Sequence, residues 1–282
     1  METQPSTLDV AKSPLRVIDV DAGKVADHPG LLERTHDGDV DLIIISGLYD
    51  PAELAPVVER LERADHPPFP VIELPPDGLG RLYGYVLDLV DEDIEAYLEH
   101  AGVVRESCRE LFAPALEFEQ RMIEVIEPLA GGRRLEVLRS ADGRDYLAVS
   151  IRNLLPGGFI MMHCEDQKLL EPAKRRIHEE AVPHVSSFYM ALAPSQTGGE
   201  LVLYDLTWDQ MTERHLTRGR CNAAVIKAEC AAYEYVPRPG EMVIFGKGRV
   251  HEIRTVGPGS SRWTIGGFFT MSRDGERVLY FS

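Results

Sequence analysis

Cysteine is scarce in this sequence: four residues in 282, Cys108, Cys164, Cys221 and Cys230, with no C-x-x-C pair among them. That scatter excludes a thiolate zinc site and a disulfide framework, and it suits reduced thiols in a reducing compartment. Long apolar runs are also missing. None approaches the roughly 18 to 20 residues of a membrane span. The opening METQPSTLDVAKSPLR lacks the basic-then-apolar order of a secretory leader, so a cytoplasmic protein with a flexible tail over residues 1–15 is expected. Cations fall short of anions, 30 Lys and Arg against 46 Asp and Glu, for a net charge of −16. The deficit lies in residues 1–150, which hold 31 acids and 14 bases; the remainder holds 15 and 16. So acidic a surface repels phosphate backbones and anionic lipid, which argues against nucleic-acid and membrane partners. The near-neutral second half is where an anionic small molecule is expected, and a homodimer is left open.

What is present has two textures. In the first half, VDLIIISGLYDPAELAPVVERLERA predicts a buried strand over residues 40–46, a turn and a helix, with Asp50 as N-cap and Pro51 as first helical residue. The segment 66–78, HPPFPVIELPPDG, is too rich in proline for either regular state and is expected to be an ordered loop or lid. Helices are predicted near 91–100 and 104–128, with Pro114 kinking the second or starting a new one. From about residue 145 the chain becomes a series of short runs rich in β-branched and aromatic residues, punctuated by Gly and Pro. Seven or eight such strands suggest a sandwich or jelly roll. The expected class is α+β, a single domain in which a helix-rich part (16–144) packs on a jelly-roll core (145–282).

The stretch GGFIMMHCEDQKLL, residues 157–170, carries the first chemical signal. Side chains alternate across a strand, so His163 and Glu165 point to one side and Asp166 to the other. In isolation a hydrated turn is the favoured explanation of the cluster. Downstream, however, His251 sits in GKGRVHEIRTV, and Arg262 follows eleven residues later in SSRWTIGGFF. Two histidines and one carboxylate that leave other positions open form the facial triad used by non-heme iron(II) oxygenases.

The ordered set His163-Cys164-Glu165, His251 and Arg262 resembles the 2-oxoglutarate- and iron(II)-dependent dioxygenases. PSQTGGELVLYDL is similar to that family's Gly-Gly-Glu turn, and VPRPGEMVIFGKGRVHEI to the segment leading to its distal histidine; the match covers roughly residues 145–272. The resemblance implies a double-stranded β-helix (jelly-roll) core, iron(II) held by His163, Glu165 and His251, and 2-oxoglutarate and dioxygen as cosubstrates. Arg262 and Thr264 have the Arg-x-Ser/Thr form that holds the far carboxylate of 2-oxoglutarate in many members. Glu165 stands where Asp is commoner. An acid there also argues against the halogenating branch, in which Gly or Ala leaves room for chloride.

GGELVLYDLTWD further resembles a branch acting on free amino acids, including lysine halogenases and their hydroxylase relatives. On that basis a free amino acid or an amino-acid-like natural-product precursor is the expected substrate, hydroxylated at an unactivated C–H bond. Asp166, Arg152, Tyr204, Asp205 and Trp208 are the candidate substrate contacts, with Asn153 beside Arg152 on the strand entering the metal loop. Residues 66–78 and 168–180 are the candidate lids. His178 is read as a lid or rim histidine, His184 as a strand-start histidine, and Cys164 as core. Desaturation or cyclisation by the same chemistry is the alternative outcome. A non-catalytic jelly-roll protein that binds metal or ligand does not need Arg262 and Thr264, and a cupin-type enzyme is expected to show a His-x-His pair, which this sequence lacks.

Overall fold

The computed structural model describes residues 15–74, 79–87, 90, 94–168, 177–182 and 184–282. The expected tail over 1–15 therefore lies almost wholly outside the described residues, as do the tip of the 66–78 segment and most of the 168–180 one.

The chain opens with β1 (Val17–Asp21), α1 (Leu31–His36), β2 (Leu42–Ser46) and α2 (Pro51–Glu62). The α2 N-terminus follows its sequence: Asp50 accepts from the Ala52 amide, Glu53 reaches back to the Asp50 amide, and Pro51 occupies the first turn. Then come β3 (Val71–Leu74), β4 (Gly80–Tyr83), α3 (Glu95–Phe112), α4 (Phe118–Leu129) and β5 (Arg134–Val137). The long helix predicted over 104–128 is two helices, divided at the turn that contains Pro114. Both are amphipathic; Leu98, Ala101, Val104, Cys108 and Leu111 recur at helical spacing on the buried face of α3.

The second half supplies β6 (Ser150–Leu154), β7 (Ile160–His163), α5 (Glu165–Lys168), α6 (Ile177–Glu180), β8 (Ser186–Ala193), β9 (Leu201–Thr207), β10 (Leu216–Thr217), β11 (Arg220–Cys221), α7 (Ala223–Glu229), β12 (Ala232–Tyr235), β13 (Met242–Phe245), β14 (Arg249–Ile253), β15 (Arg262–Met271) and β16 (Arg277–Phe281). A ten-stranded sheet runs β1-β2-β13-β8-β15-β6-β4-β3, with β16 pairing β15 and β5 pairing β16; a four-stranded sheet runs β12-β9-β14-β7.

Two expectations are corrected here. The helix-rich first half holds more strand than the single one expected over 40–46, because five of its strands extend the large sheet. The proline-rich segment contains a strand: β3 pairs antiparallel with β4 at the sheet edge, where Pro70 just before it costs no ladder hydrogen bond.

Two apolar layers position the site. Leu42, Ile44, Leu154 and Val243 of the large sheet pack with Leu201, Leu203 and Ile253 of the small one, so the two sheets share an interior. The other face of the large sheet is covered by α2, α3 and α4 in a larger cluster that includes Phe112, Phe118, Met190, Ile265 and Tyr280. Central strands such as β2 (LIIIS) and β13 (MVIF) are buried on both faces, which is why they read as continuous apolar runs. Among the described residues no helix is long and apolar enough to cross a membrane.

Candidate metal centre and cosubstrate pocket

His163 is the last residue of β7, the edge strand of the small sheet, and His251 is the middle of its neighbour β14; the two stand opposite each other in the ladder. Their ring centroids are 4.3 Å apart. Glu165 opens α5 immediately after β7 and turns its carboxylate back: Oε1 is 3.1 Å from His163 Nε2 and 3.8 Å from His251 Nε2. One ligand atom from each of the three residues lies within 4.8 Å of the others.

The protonation pattern suits a metal. His163 Nδ1 donates to the Met161 carbonyl at 2.7 Å and His251 Nδ1 to the Arg249 carbonyl at 2.9 Å. A carbonyl only accepts, so each Nδ1 carries the proton and each Nε2 lone pair faces the shared point. His251 and Glu165 are buried, and Phe245 lies edge-on to the His251 ring at 4.6 Å. Two neutral imidazoles and one carboxylate on one side of a point are the donor set of an octahedral iron(II) with open positions, so these residues fit the ion.

A cavity of about 1200 Å³ is lined by His163, Glu165 and His251 among others. Arg262, the first residue of β15, projects into it although only 4% exposed. Its guanidinium lies over the Tyr189 ring at 4.8 Å and meets no carboxylate among the described residues. A buried cation without a counter-charge is costly, so the pocket is built for an anion. Thr264, two residues along β15, lines the same cavity. Tyr189 adds a buried hydroxyl without a well-formed hydrogen bond; burial raises its pKa against the pull of the Arg262 cation. The glycine turn makes room for the arginine: Gly199 has a φ of +74°, and a Cβ there would stand 3.1 Å from Arg262 Cδ and 2.5 Å from Ser195 Oγ.

The candidate substrate residues divide. Arg152 lines the cavity from β6, across the ladder from Thr264, while Asn153 does not. Asp166, Tyr204, Asp205 and Trp208 are not among the lining residues. Asp166 accepts from His184 Nδ1 at 2.7 Å. Tyr204 points through the outer face of the small sheet to donate to Glu252 at 2.8 Å, Asp205 lies 3.5 Å from Arg249, and the Trp208 amide donates to the Gly248 carbonyl. The alternation of β9 sends Leu201 and Leu203 inward and leaves Val202 and Tyr204 outside, packed under α7. Cys164 is fully buried in that outer layer, in keeping with a core role.

Residues that the sequence did not single out take the vacated places. Phe159, just before β7, and Met161, within it, are 44% and 54% exposed and line the cavity, as do Arg220, Lys227 and Glu200. Glu200 belongs to the Gly-Gly-Glu turn, but Phe159, Met161, Tyr189, Arg220 and Lys227 carry no motif, and only the meeting of separate elements makes them part of a site.

The comparisons with known proteins agree with this geometry. Residues 14–282 match the family described as carrier-protein-independent halogenase WelO5. No curated protein matches the sequence. Among solved structures, the chain is similar to an N-substituted L-amino acid dioxygenase from Burkholderia ambifaria AMMD, with a TM-score of 0.56 and 14% identity over 88% of this chain and 90% of that one. A structure from the same organism described as that dioxygenase in complex with alpha-KG gives 0.50 and 15% identity over 90% and 91%. At such identities the likeness is one of fold. The family match extends over nearly the whole sequence, and the chain belongs to the WelO5 family, within the iron(II)- and 2-oxoglutarate-dependent oxygenases whose motifs it carries.

Proposed function

We propose that this oxygenase hydroxylates an unactivated C–H bond of an amino acid or an amino-acid-like natural-product precursor. The observation that carries the reaction type is the carboxylate of Glu165, directed at the same point as His163 Nε2 and His251 Nε2. A halogenating site needs that position free for a halide; here the protein fills it. The family description is therefore not transferred as an activity.

In this reading His163, Glu165 and His251 hold iron(II), and Arg262, Thr264 and Tyr189 hold the far carboxylate of 2-oxoglutarate. When bound, the ion and its cosubstrates supply the oxidising power, converting 2-oxoglutarate and dioxygen to succinate and carbon dioxide with one oxygen atom left for the substrate. The chain's own residues do the rest. Arg262 fixes the cosubstrate by a planar, two-pronged hydrogen-bonding surface. Phe245 and the buried rings beside it exclude water from the histidines. Arg152 and Arg220 with Glu200 supply both signs of charge for a zwitterion, and Phe159 and Met161 an apolar rest for its body. The cavity volume exceeds the roughly 300–1,000 Å³ common for ligand sites, which favours an amino-acid derivative over the smallest free amino acids.

The fold supports the same reading. From β6 to β15 the strands shuttle between the two sheets: β6, β8, β13 and β15 in the large one, β7, β9, β12 and β14 in the small one. We read this as the double-stranded β-helix, forming one domain with the strands of the first half. The four free cysteines suit the cytoplasm.

Anaerobic addition of iron(II) and 2-oxoglutarate is expected to give the weak visible absorption band of the chelate, and His163→Ala to abolish it. Aerobic incubation with a panel of free and N-substituted amino acids is then followed by succinate release and product mass. Gain of one oxygen atom identifies hydroxylation; loss of two hydrogens identifies the desaturating or ring-closing alternative. An identical spectrum in wild type and His163→Ala defeats the iron assignment.

A further inference from the structure

We propose that Asp166 is a positioning residue that aims Glu165 at the metal point by anchoring its turn to two other strands, an assignment that rests on the metal-centre reading above. Glutamate has one more rotatable bond than aspartate, so a glutamate ligand needs a firmly held backbone if its carboxylate is to stay in place. Glu165 is the first residue of α5, in a first turn whose amides have no partner within the helix, so its backbone needs holding from outside.

Asp166 supplies the missing anchor. Its carboxylate is buried and points away from the cavity. Oδ2 accepts from His184 Nδ1 at 2.7 Å and Oδ1 from the Val185 amide at 3.4 Å. One side chain thus grips residues 184–185, directly ahead of β8, the strand that carries Tyr189. The same carboxylate lies against the turn that opens β14: Gly248, at φ +59°, has no side chain, and a Cβ there would stand 2.8 Å from Asp166 Oδ2. The next residue, Arg249, starts the strand that bears His251. His184 is itself held, since its carbonyl accepts from Thr270 Oγ1 of β15 at 2.9 Å and its ring meets His36 edge-on with centroids 6.1 Å apart. Asp166 therefore touches the approaches to β8 and β14 while its backbone neighbour reaches the point where the two histidines converge. Groups behind the ligands commonly change metal affinity about 10–100-fold when removed, and here one side chain serves two approaches at once.

The test is anaerobic titration with cobalt(II), whose visible d–d bands report ligand geometry as well as occupancy, on wild type, His163→Ala, Asp166→Ala, Asp166→Asn and His184→Gln. The proposal expects Asp166→Ala to bind cobalt about 10–100-fold more weakly, with shifted bands. It expects Asp166→Asn, which keeps one acceptor oxygen, to fall between Asp166→Ala and wild type. Adding His184→Gln to Asp166→Ala should cause little further loss, because the two act in series. If Asp166→Ala does not fold, Asp166→Asn and His184→Gln carry the comparison: bands shifted in both support the proposal, and wild-type affinity and bands in both overturn it. Wild-type affinity and bands in folded Asp166→Ala overturn it directly. If His163→Ala binds cobalt like wild type, the metal-centre reading itself fails, and this assignment with it.

Discussion

His163 and His251 stand opposite one another on adjacent antiparallel strands, 88 positions apart in the chain and with ring centroids 4.3 Å apart. Each ring is oriented by a carbonyl two residues before it, Met161 for one and Arg249 for the other. The strand ladder thus sets the separation of the ligands, and the local carbonyls set their tautomers, before any ion is bound.

Glu165→Gly removes the protein's third ligand and opens its place. With chloride or bromide in the buffer, hydroxylation of an accepted substrate is expected to fall at least about tenfold and halogenated product to emerge. Product mass spectrometry with and without halide checks this. Full hydroxylation by the glycine variant would show that the carboxylate does not occupy the position argued here.

Arg262→Ala leaves the cosubstrate's far carboxylate without its cation in a buried site. The expected cost is about 2–5 kcal/mol in 2-oxoglutarate binding, with iron affinity little changed. Tyr189→Phe should cost less, about 0.5–1.5 kcal/mol for a neutral hydrogen bond. Titrating 2-oxoglutarate into the iron-loaded variants and following the visible band measures both. Equal losses in the two would place the carboxylate elsewhere.

Arg249 and Asp41 form a buried ion pair that ties the strand bearing His251 to the residue just ahead of β2. Asp41→Asn leaves the buried Arg249 with only the more distant, exposed Asp205, 3.5 Å away, so it is expected to destabilise the protein toward the lower end of about 3–5 kcal/mol. Replacing both by apolar residues of similar size should be much milder. Urea unfolding of the single and double variants distinguishes the two effects; additive losses would mean that the pair does not act as a unit.

His36 is buried, and this lowers its pKa, with the neighbouring His184 pushing the same way. The unfolded chain therefore takes up a proton at His36 more readily than the folded one. The contribution to stability is complete above the ordinary histidine pKa and falls as pH drops through it toward the lowered folded value. His184 has the opposite sign: Asp166 raises its pKa, so its contribution is present at acidic pH and is lost as pH rises through the raised value. His36→Gln should flatten the decline in melting temperature between about pH 7 and pH 5. The same slope in variant and wild type would remove His36 as its source.

Much of the site was legible in one dimension because its key residues obey short-range rules. His163 and Glu165 are two positions apart, Arg262 and Thr264 are two positions apart on a strand face, and Asp50 followed by Pro51 favours the start of a helix. The capping of α2, the strand texture after residue 145 and the His163–Glu165 pair follow from such local chemistry, whereas His251 joins the pair in the sequence only through the resemblance of its segment to a known family. Asp166, Tyr204, Asp205 and Trp208 show the limit of such rules, since none of them lines the cavity. They are neighbours in sequence of functional segments, but a side chain's destination depends on which face of its strand or turn it leaves from. Tyr204 leaves toward α7 and Asp166 toward His184.

The amino-acid sequence by itself determined which donor atoms exist and in what order: two imidazoles, a carboxylate and a distant arginine with a threonine beside it. It also carried the strand and helix periods that let both sheets form. Tertiary structure alone decided that β7 and β14 are neighbours and that Tyr189 comes to lie under Arg262. It also decided that strands of the acidic first half complete the large sheet. Those outcomes depend on pairing between segments far apart in the chain, and such pairing is selected by the shared burial of two apolar faces, a property that no single segment carries.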